Sequence, residues 1–125
     1  MIEKIATIKA PGAIGPYSQA IKSNGMVYTS GQIAINPANG SLEGNDIVKQ
    51  TEQVMKNLGE VLKAAGSSFD KVVKTTCFLA NIEDFSKFNE VYGKYLANKP
   101  ARSCVAVKDL PKGALVEVEV IAEVE

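Results

Sequence analysis

The segment from Leu115 to Val124 constrains the fold most strongly, because it alternates without a slip. Val116, Val118, Val120, Ala122 and Val124 fall on one side. Leu115, Glu117, Glu119, Ile121 and Glu123 fall on the other. Period two sustained over the whole segment describes a β-strand with one apolar face, and that face must be covered by a second layer. The cover is a long amphipathic helix. Ile47, Val54, Met55, Leu58, Val61, Leu62 and Ala65 recur at helical spacing. Asp46 stands where an N-cap belongs, and Gly66 follows as a left-handed C-cap.

The remaining elements follow from turn chemistry and periodicity. Glu3 to Lys9 reads as a strand, followed by a loop punctuated by Pro11, Gly12, Gly15 and Pro16. Asn24-Gly25 separates the runs Gln19–Ser23 and Met26–Ile35, a type I′ hairpin signal. Pro37-Ala38-Asn39-Gly40 is another turn. Val72 to Leu79 is a β-branched strand. Phe85, Phe88, Val91, Tyr92 and Tyr95 mark a second helix, from Ile82 or Phe85 to Leu96. Ser103 to Val107 reads as a short strand, which a turn at Pro111 and Gly113 folds into a hairpin with the last strand. The expectation is one α+β domain over residues 1–125, mostly antiparallel, with both helices on the Val face. The opposite face is mixed, the kind that meets another subunit.

Composition removes whole classes of chemistry. The 125 residues contain no histidine. Histidine-based acid–base catalysis, Ser-His-Asp and Cys-His systems and the commonest transition-metal ligand are therefore excluded. Cys77 and Cys104 lie far apart, so no CxxC pair is present and no metal site is expected. Basic and acidic residues number 14 each. Zero net charge speaks against a nucleic-acid partner. No apolar run approaches the ~20 residues of a membrane span, and the first residues lack a leader pattern, so a cytoplasmic protein is expected.

Arg102 is the only arginine, in the block Pro100-Ala101-Arg102-Ser103-Cys104. A guanidinium fork suits bidentate carboxylate binding. A structural ion pair with a glutamate is the plainer reading, and composition alone favours it. Counting back through the expected hairpin puts Glu117 near the Arg102–Cys104 end, as that partner or as a water-directing base. With Glu119 two residues on, a charged sheet face is the plainer reading here too. Ser30-Gly31 inside a strand marks a bulge or a close approach of backbone to a ligand. Tyr17 follows the Gly-Pro loop, and Asn89 is a polar position on the second helix. Cys104 reads as a half-buried hydrophobe and Cys77 as core.

Together these residues resemble a known family. Gly15-Pro16-Tyr17-Ser18-Gln19-Ala20, Ser30-Gly31-Gln32, Lys74-Thr75-Thr76-Cys77-Phe78-Leu79, Phe88-Asn89-Glu90-Val91-Tyr92, the Pro100–Cys104 block, Leu110-Pro111 and Glu117-Val118-Glu119 resemble, in order, the RidA (YjgF) reactive intermediate deaminases. Lys99 departs from the aromatic residue many relatives have before Pro100. The resemblance implies a chorismate-mutase-like homotrimer with ligand clefts between subunits, and no cofactor. It implies hydrolysis of 2-imino and enamine acids, such as 2-aminoacrylate released by pyridoxal-phosphate enzymes, to 2-keto acids and ammonia. Arg102 matches the family's carboxylate-gripping arginine and Glu117 its water-directing glutamate. Tyr17, Ser30, Gly31, Asn89 and Cys104 match other cleft residues, with Gly31 and Cys104 acting mainly through backbone amides. Some members have been described as ribonucleases or translation inhibitors, and a non-catalytic carboxylate-binding or chaperone-like trimer is a third class. A pure binder needs Arg102 but not Glu117.

Overall fold

A computed structural model of the chain describes residues 1–124. Six strands form one sheet in the order β1-β2-β3-β6-β4-β5: β1 Glu3–Ile5, β2 Ala20–Ser23, β3 Met26–Thr29, β4 Val72–Leu79, β5 Ala101–Ala106 and β6 Val116–Glu123. The helices α1 (Ile47–Ala64) and α2 (Phe85–Tyr95) cover one face. All neighbours are antiparallel except β4 and β5. The α+β layering expected from the patterning is therefore present.

The period-two segment is the centre of the sheet. Val116, Val118, Val120 and Ala122 are buried, and they pack with Val54, Met55, Leu58, Val61 and Leu62 of α1 and Phe88 of α2. Fully burying each such side chain contributes about 1.5–3 kcal/mol, so this layer supplies most of the drive for folding. The Asp46 carboxylate accepts from Lys49 N at 2.9 Å, and Gly66 takes φ +82° just past the helix end. Asn24 and Gly25 both have positive φ, and Ser23 faces Met26, the two-residue hairpin that Asn-Gly prescribes.

Three strand expectations need correction. The first strand stops at Ile5 instead of Lys9, because the buried Gln19 side chain occupies the backbone beyond it. Gln19 accepts from Thr7 N and donates to the carbonyls of Thr7, Ala10 and Pro11. β3 stops at Thr29 instead of Ile35. Ser30 N turns to the Gln19 carbonyl, and the chain rejoins the sheet only as a single bridge between Gln32 and Val118. Ser30-Gly31 is thus a break at the strand's end, not its middle.

The third correction is topological. β5 makes no hairpin with β6. It lies parallel to β4 at the sheet edge, and β4 separates the two. The intervening α2 is the reason: a helix joining neighbouring strands makes a crossover, and a crossover delivers the second strand parallel to the first. β6 then fills the gap between β3 and β4. Two α1 amides fix the loops around it. Gln50 accepts from Leu115 N at 2.9 Å, and Asn57 donates to the carbonyls of Ile33 and Ile35. Among the described residues no helix is long and apolar enough to cross a membrane.

Candidate active site

The residues singled out from the sequence fall into two clusters on opposite faces of the sheet. Glu117 opens one of them. Its neighbours Val116 and Val118 point under the helices, so Glu117 points to the uncovered face. Gly31 lies directly against it: a Cβ built on Gly31 would sit 2.8 Å from Cδ and 2.9 Å from Cγ of Glu117. The strand-breaking glycine is thus a close-approach glycine, and it approaches a side chain of the candidate site. Ser30 is held beside it by its hydroxyl, which donates to the Ser18 carbonyl at 2.6 Å. Tyr17, Ser30, Gly31 and Glu117 line a cavity of about 540 Å³, closed by apolar residues such as Ile33 and Pro111. Burial, with the negative charge of Glu119 adding to it, pushes the Glu117 carboxyl above the ordinary carboxylate range. A carboxylate shifted this way is a better proton acceptor than a free one.

Arg102 opens the second cluster. It lies beside Thr75 on β5 and faces the helical side. Its Nη1 donates to Asn89 Oδ1 at 2.7 Å. Its Cζ lies 4.8 Å from the Tyr92 ring centroid and 5.5 Å from that of Phe85. The partner of Arg102 is therefore an amide on α2, not the glutamate that an ion-pair reading requires. Tyr92 is anchored from behind, its hydroxyl 2.7 Å from Thr75 Oγ1. Cys104 stands one step along β5, half-buried and opposite the buried Cys77. Burial pushes the Cys77 thiol up to about 12 and raises that of Cys104, with Arg102 opposing the latter shift. Both sulfurs are poor nucleophiles at neutral pH.

Glu117 therefore does not lie beside Arg102, as a β5–β6 hairpin would require. Glu117 faces Phe78 of β4, whereas Arg102 faces Thr75. In one chain the two are about 10 Å apart along the strands and about 10 Å across two strand spacings, and they point in opposite directions. Asn89, a polar helix position by periodicity and a cleft residue by the family resemblance, is a direct partner of Arg102. Phe85 and Tyr92 went unrecognised as site residues. Their signal was present as the spacing Phe85, Asn89, Tyr92, which is i, i+4, i+7 and sets all three on one helix face.

The chain's likenesses to known proteins run its full length. Residues 7–124 match the family described as Endoribonuclease L-PSP. A protein of Lactococcus lactis described as a candidate regulator, AldR, is 59% identical over 122 residues, 97% of this chain and 97% of its own. The human 2-iminobutanoate/2-iminopropanoate deaminase is 50% identical over 119 residues, 94% of this chain and 87% of its own. The crystal structure of YyfA from Yersinia pestis, a Rid-family protein of unknown function, superposes with a TM-score of 0.97 at 56% identity, covering 99% of this chain and all of that one. With the sequence motifs, the sheet order and these relatives in agreement, the chain belongs to the RidA (YjgF) family.

Proposed function

We propose that this protein hydrolyses short 2-imino acids to 2-keto acids and ammonia, in clefts formed where copies of the chain meet. The observation that carries this reading is the Arg102 guanidinium, aligned by Asn89 and two aromatic rings and, among the described residues, paired with no carboxylate. That arrangement suits a small anionic ligand with a planar carboxylate. The relatives named 2-iminobutanoate/2-iminopropanoate deaminase supply the substrate class. Pyridoxal-phosphate enzymes would release such imines.

Each residue has a separate task. Arg102 holds the carboxylate. Glu117 removes a proton from a water as that water attacks C2 of the imine. The new C–O bond forms as the C=N π electrons move to nitrogen, which takes the proton Glu117 has just accepted. Glu117 then carries the proton of the new hydroxyl to the amine, and as the C=O forms the C–N bond breaks, releasing ammonia and the 2-keto acid. Tyr17 and Ser30 shape the pocket on the Glu117 side, and Asn89 orders Arg102. The backbone amides of Gly31 and Cys104 would donate to oxygens of the bound acid.

A cleft with both groups needs two copies. The face that carries Glu117 also carries Tyr28, Phe78 and Ile121, with Val105 exposed on the same side of β5. Covering that apolar surface drives association. A chorismate-mutase-like closed ring of three, with the Arg102 cluster of one copy facing the Glu117 cluster of the next, satisfies all three pairs of half-sites.

The test is a coupled assay. A pyridoxal-phosphate dehydratase generates 2-aminoacrylate, this protein is added, and keto-acid release is followed. Accelerated release that is lost in Arg102→Ala supports the reading, and no acceleration overturns it. The relative described as a regulator favours a second reading, a carboxylate-sensing trimer without turnover. Tight keto-acid binding with no acceleration would select it.

A further inference from the structure

We propose that Phe85 and Tyr92 are positioning residues that clamp the Arg102 guanidinium between their rings and hold its free edge at the angle a carboxylate requires. This rests on the reading of Arg102 as the carboxylate-binding residue and extends it to the α2 face behind it.

The geometry follows from helix spacing. Phe85 and Tyr92 are seven residues apart on α2, a rise of about 10.5 Å. Their centroids lie 5.5 Å and 4.8 Å from Cζ of Arg102, so both rings border the one guanidinium. Asn89 sits between the two rings in sequence and takes one N–H in the guanidinium plane, at 2.7 Å. Contacts to the rings and a hydrogen bond in the plane restrain different motions. Ring contact limits tilt of the guanidinium plane, and the Asn89 bond limits rotation within it. Arginine has five N–H donors in a rigid fork, so those not used by Asn89 are left for a ligand at a fixed angle.

The two rings are not equivalent. Tyr92 is buried, and its hydroxyl is tied to Thr75 Oγ1 at 2.7 Å, so its ring is a fixed wall. Phe85 is 36% exposed and stands at the start of α2, so it closes the clamp from the solvent side. Each cation–π contact of this kind is worth about 2- to 30-fold in an equilibrium constant. Without the clamp, the arginine would have to be ordered by substrate binding itself.

Phe85 is the residue to vary, because it is partly exposed and its loss spares the core. We expect Phe85→Leu to raise KM for 2-aminoacrylate, and the Kd of pyruvate by calorimetry, about 3- to 10-fold, with kcat within about twofold of the parent. Phe85→Trp should restore both constants to within about twofold. The chain has no tryptophan, so that variant also places a single indole, selectively excitable over the tyrosines, beside the guanidinium. Its emission should shift on titration with pyruvate, with a midpoint matching calorimetry. Unchanged KM and Kd in Phe85→Leu, in a protein whose Arg102→Ala variant has lost binding, would overturn the clamp and leave the carboxylate role of Arg102 standing. Parental activity in Arg102→Ala would instead overturn the reading beneath it. Equal losses in kcat and active-protein fraction, with a lowered melting temperature, would assign Phe85 a structural role and also overturn the clamp.

Discussion

Replacing Gly31 by alanine tests the Glu117 half-site most sharply, because the consequence can be worked from distances. The φ of Gly31 lies outside the left-handed region, so the backbone accepts alanine without strain. The added methyl carbon would lie 2.8 Å from Cδ and 2.9 Å from Cγ of Glu117. Carbon atoms rest at about 3.5 Å or more, and Glu117 Oε2 would lie nearer to the methyl than either carbon, so the carboxylate must retreat by more than ~0.7 Å. Glu117 is half-buried at the end of a flexible side chain, so stability should fall by no more than the ~1–3 kcal/mol of an overpacked contact. Catalysis is less forgiving, since a displacement near 1 Å costs on the order of 10²-fold. Gly31→Ala should therefore fold, bind pyruvate within a few-fold of the parent and lose about 10²-fold in imine hydrolysis. The control is the same substitution in a Glu117→Ala background, where the obstacle is gone. There it should change neither melting temperature nor residual rate by a measurable amount, because the two effects share one contact. Full activity in Gly31→Ala, or an equal loss in both backgrounds, would refute the close approach as the reason for glycine.

Arg102→Ala should weaken pyruvate binding by the ~2–5 kcal/mol of a truncated charged pair, and Arg102→Lys should not rescue it, because a point charge has no fork; calorimetry decides both. Glu117→Gln should lower turnover about 10²–10⁴-fold while pyruvate binding survives, and turnover at the parental rate would reduce Glu117 to a neighbour on a charged face. The parent's activity should fall on acidification at a higher pH than an unshifted glutamate would give, since burial and then Glu119 raise the Glu117 pKa. Stability runs the other way. A carboxyl raised on folding favours the folded state below its unfolded pKa and loses that advantage as pH rises through the folded one, so Glu117→Gln should melt above the parent at pH 7 and not at pH 4. Arg102→Ala and Glu117→Gln chains, denatured and refolded together, should regain up to about a quarter of parental activity if, as proposed, each cleft of a closed ring draws one residue from each neighbour. No recovery would mean that the site does not form between copies.

The parts of the fold legible in sequence were those written locally. The α1 stripe, its Asp46 cap, the Asn24-Gly25 turn and the valine face of β6 each depend on residues a few positions apart, and the structure has all of them. The placement of β5 depends instead on which strand edges remain free after α2 has packed. Ala101–Ala106 offers no alternation to decide it, because an edge strand exposed along much of its length needs none. The same residues explain the error in the site. The face of Glu117 was readable from its valine neighbours, but the face of Arg102 was not. A hairpin puts Glu117 near the Arg102–Cys104 end, whereas β4 lies between the two strands and the two side chains take opposite faces. The role of α2 as the support for Arg102 was hidden for a related reason: Phe85 and Tyr92 satisfy the apolar stripe of a helix, and nothing local separates a ring that fills the core from one that borders a cation.

The opposition of faces has chemical value. A guanidinium and a carboxylate placed side by side in one chain would pair, and pairing would lower the carboxyl pKa and occupy the fork. Here neither happens. Glu117 has burial and a second glutamate around it and is pushed up, the direction that makes it a base. Arg102 is bonded to a neutral amide and bordered by rings, which orient it without neutralising it. On the proposed function, each half-site is kept reactive by being kept from the other, at a separation enforced by the width of β4 and the buried layer beneath it. Copies joining through the apolar face would bring the two charges to one cleft only across a space that a substrate fills. The substrate carboxylate then takes the guanidinium, and the glutamate is left to the water. On this reading association does more than bury Tyr28, Phe78 and Ile121: it is the step that turns two unpaired charges into a catalytic site.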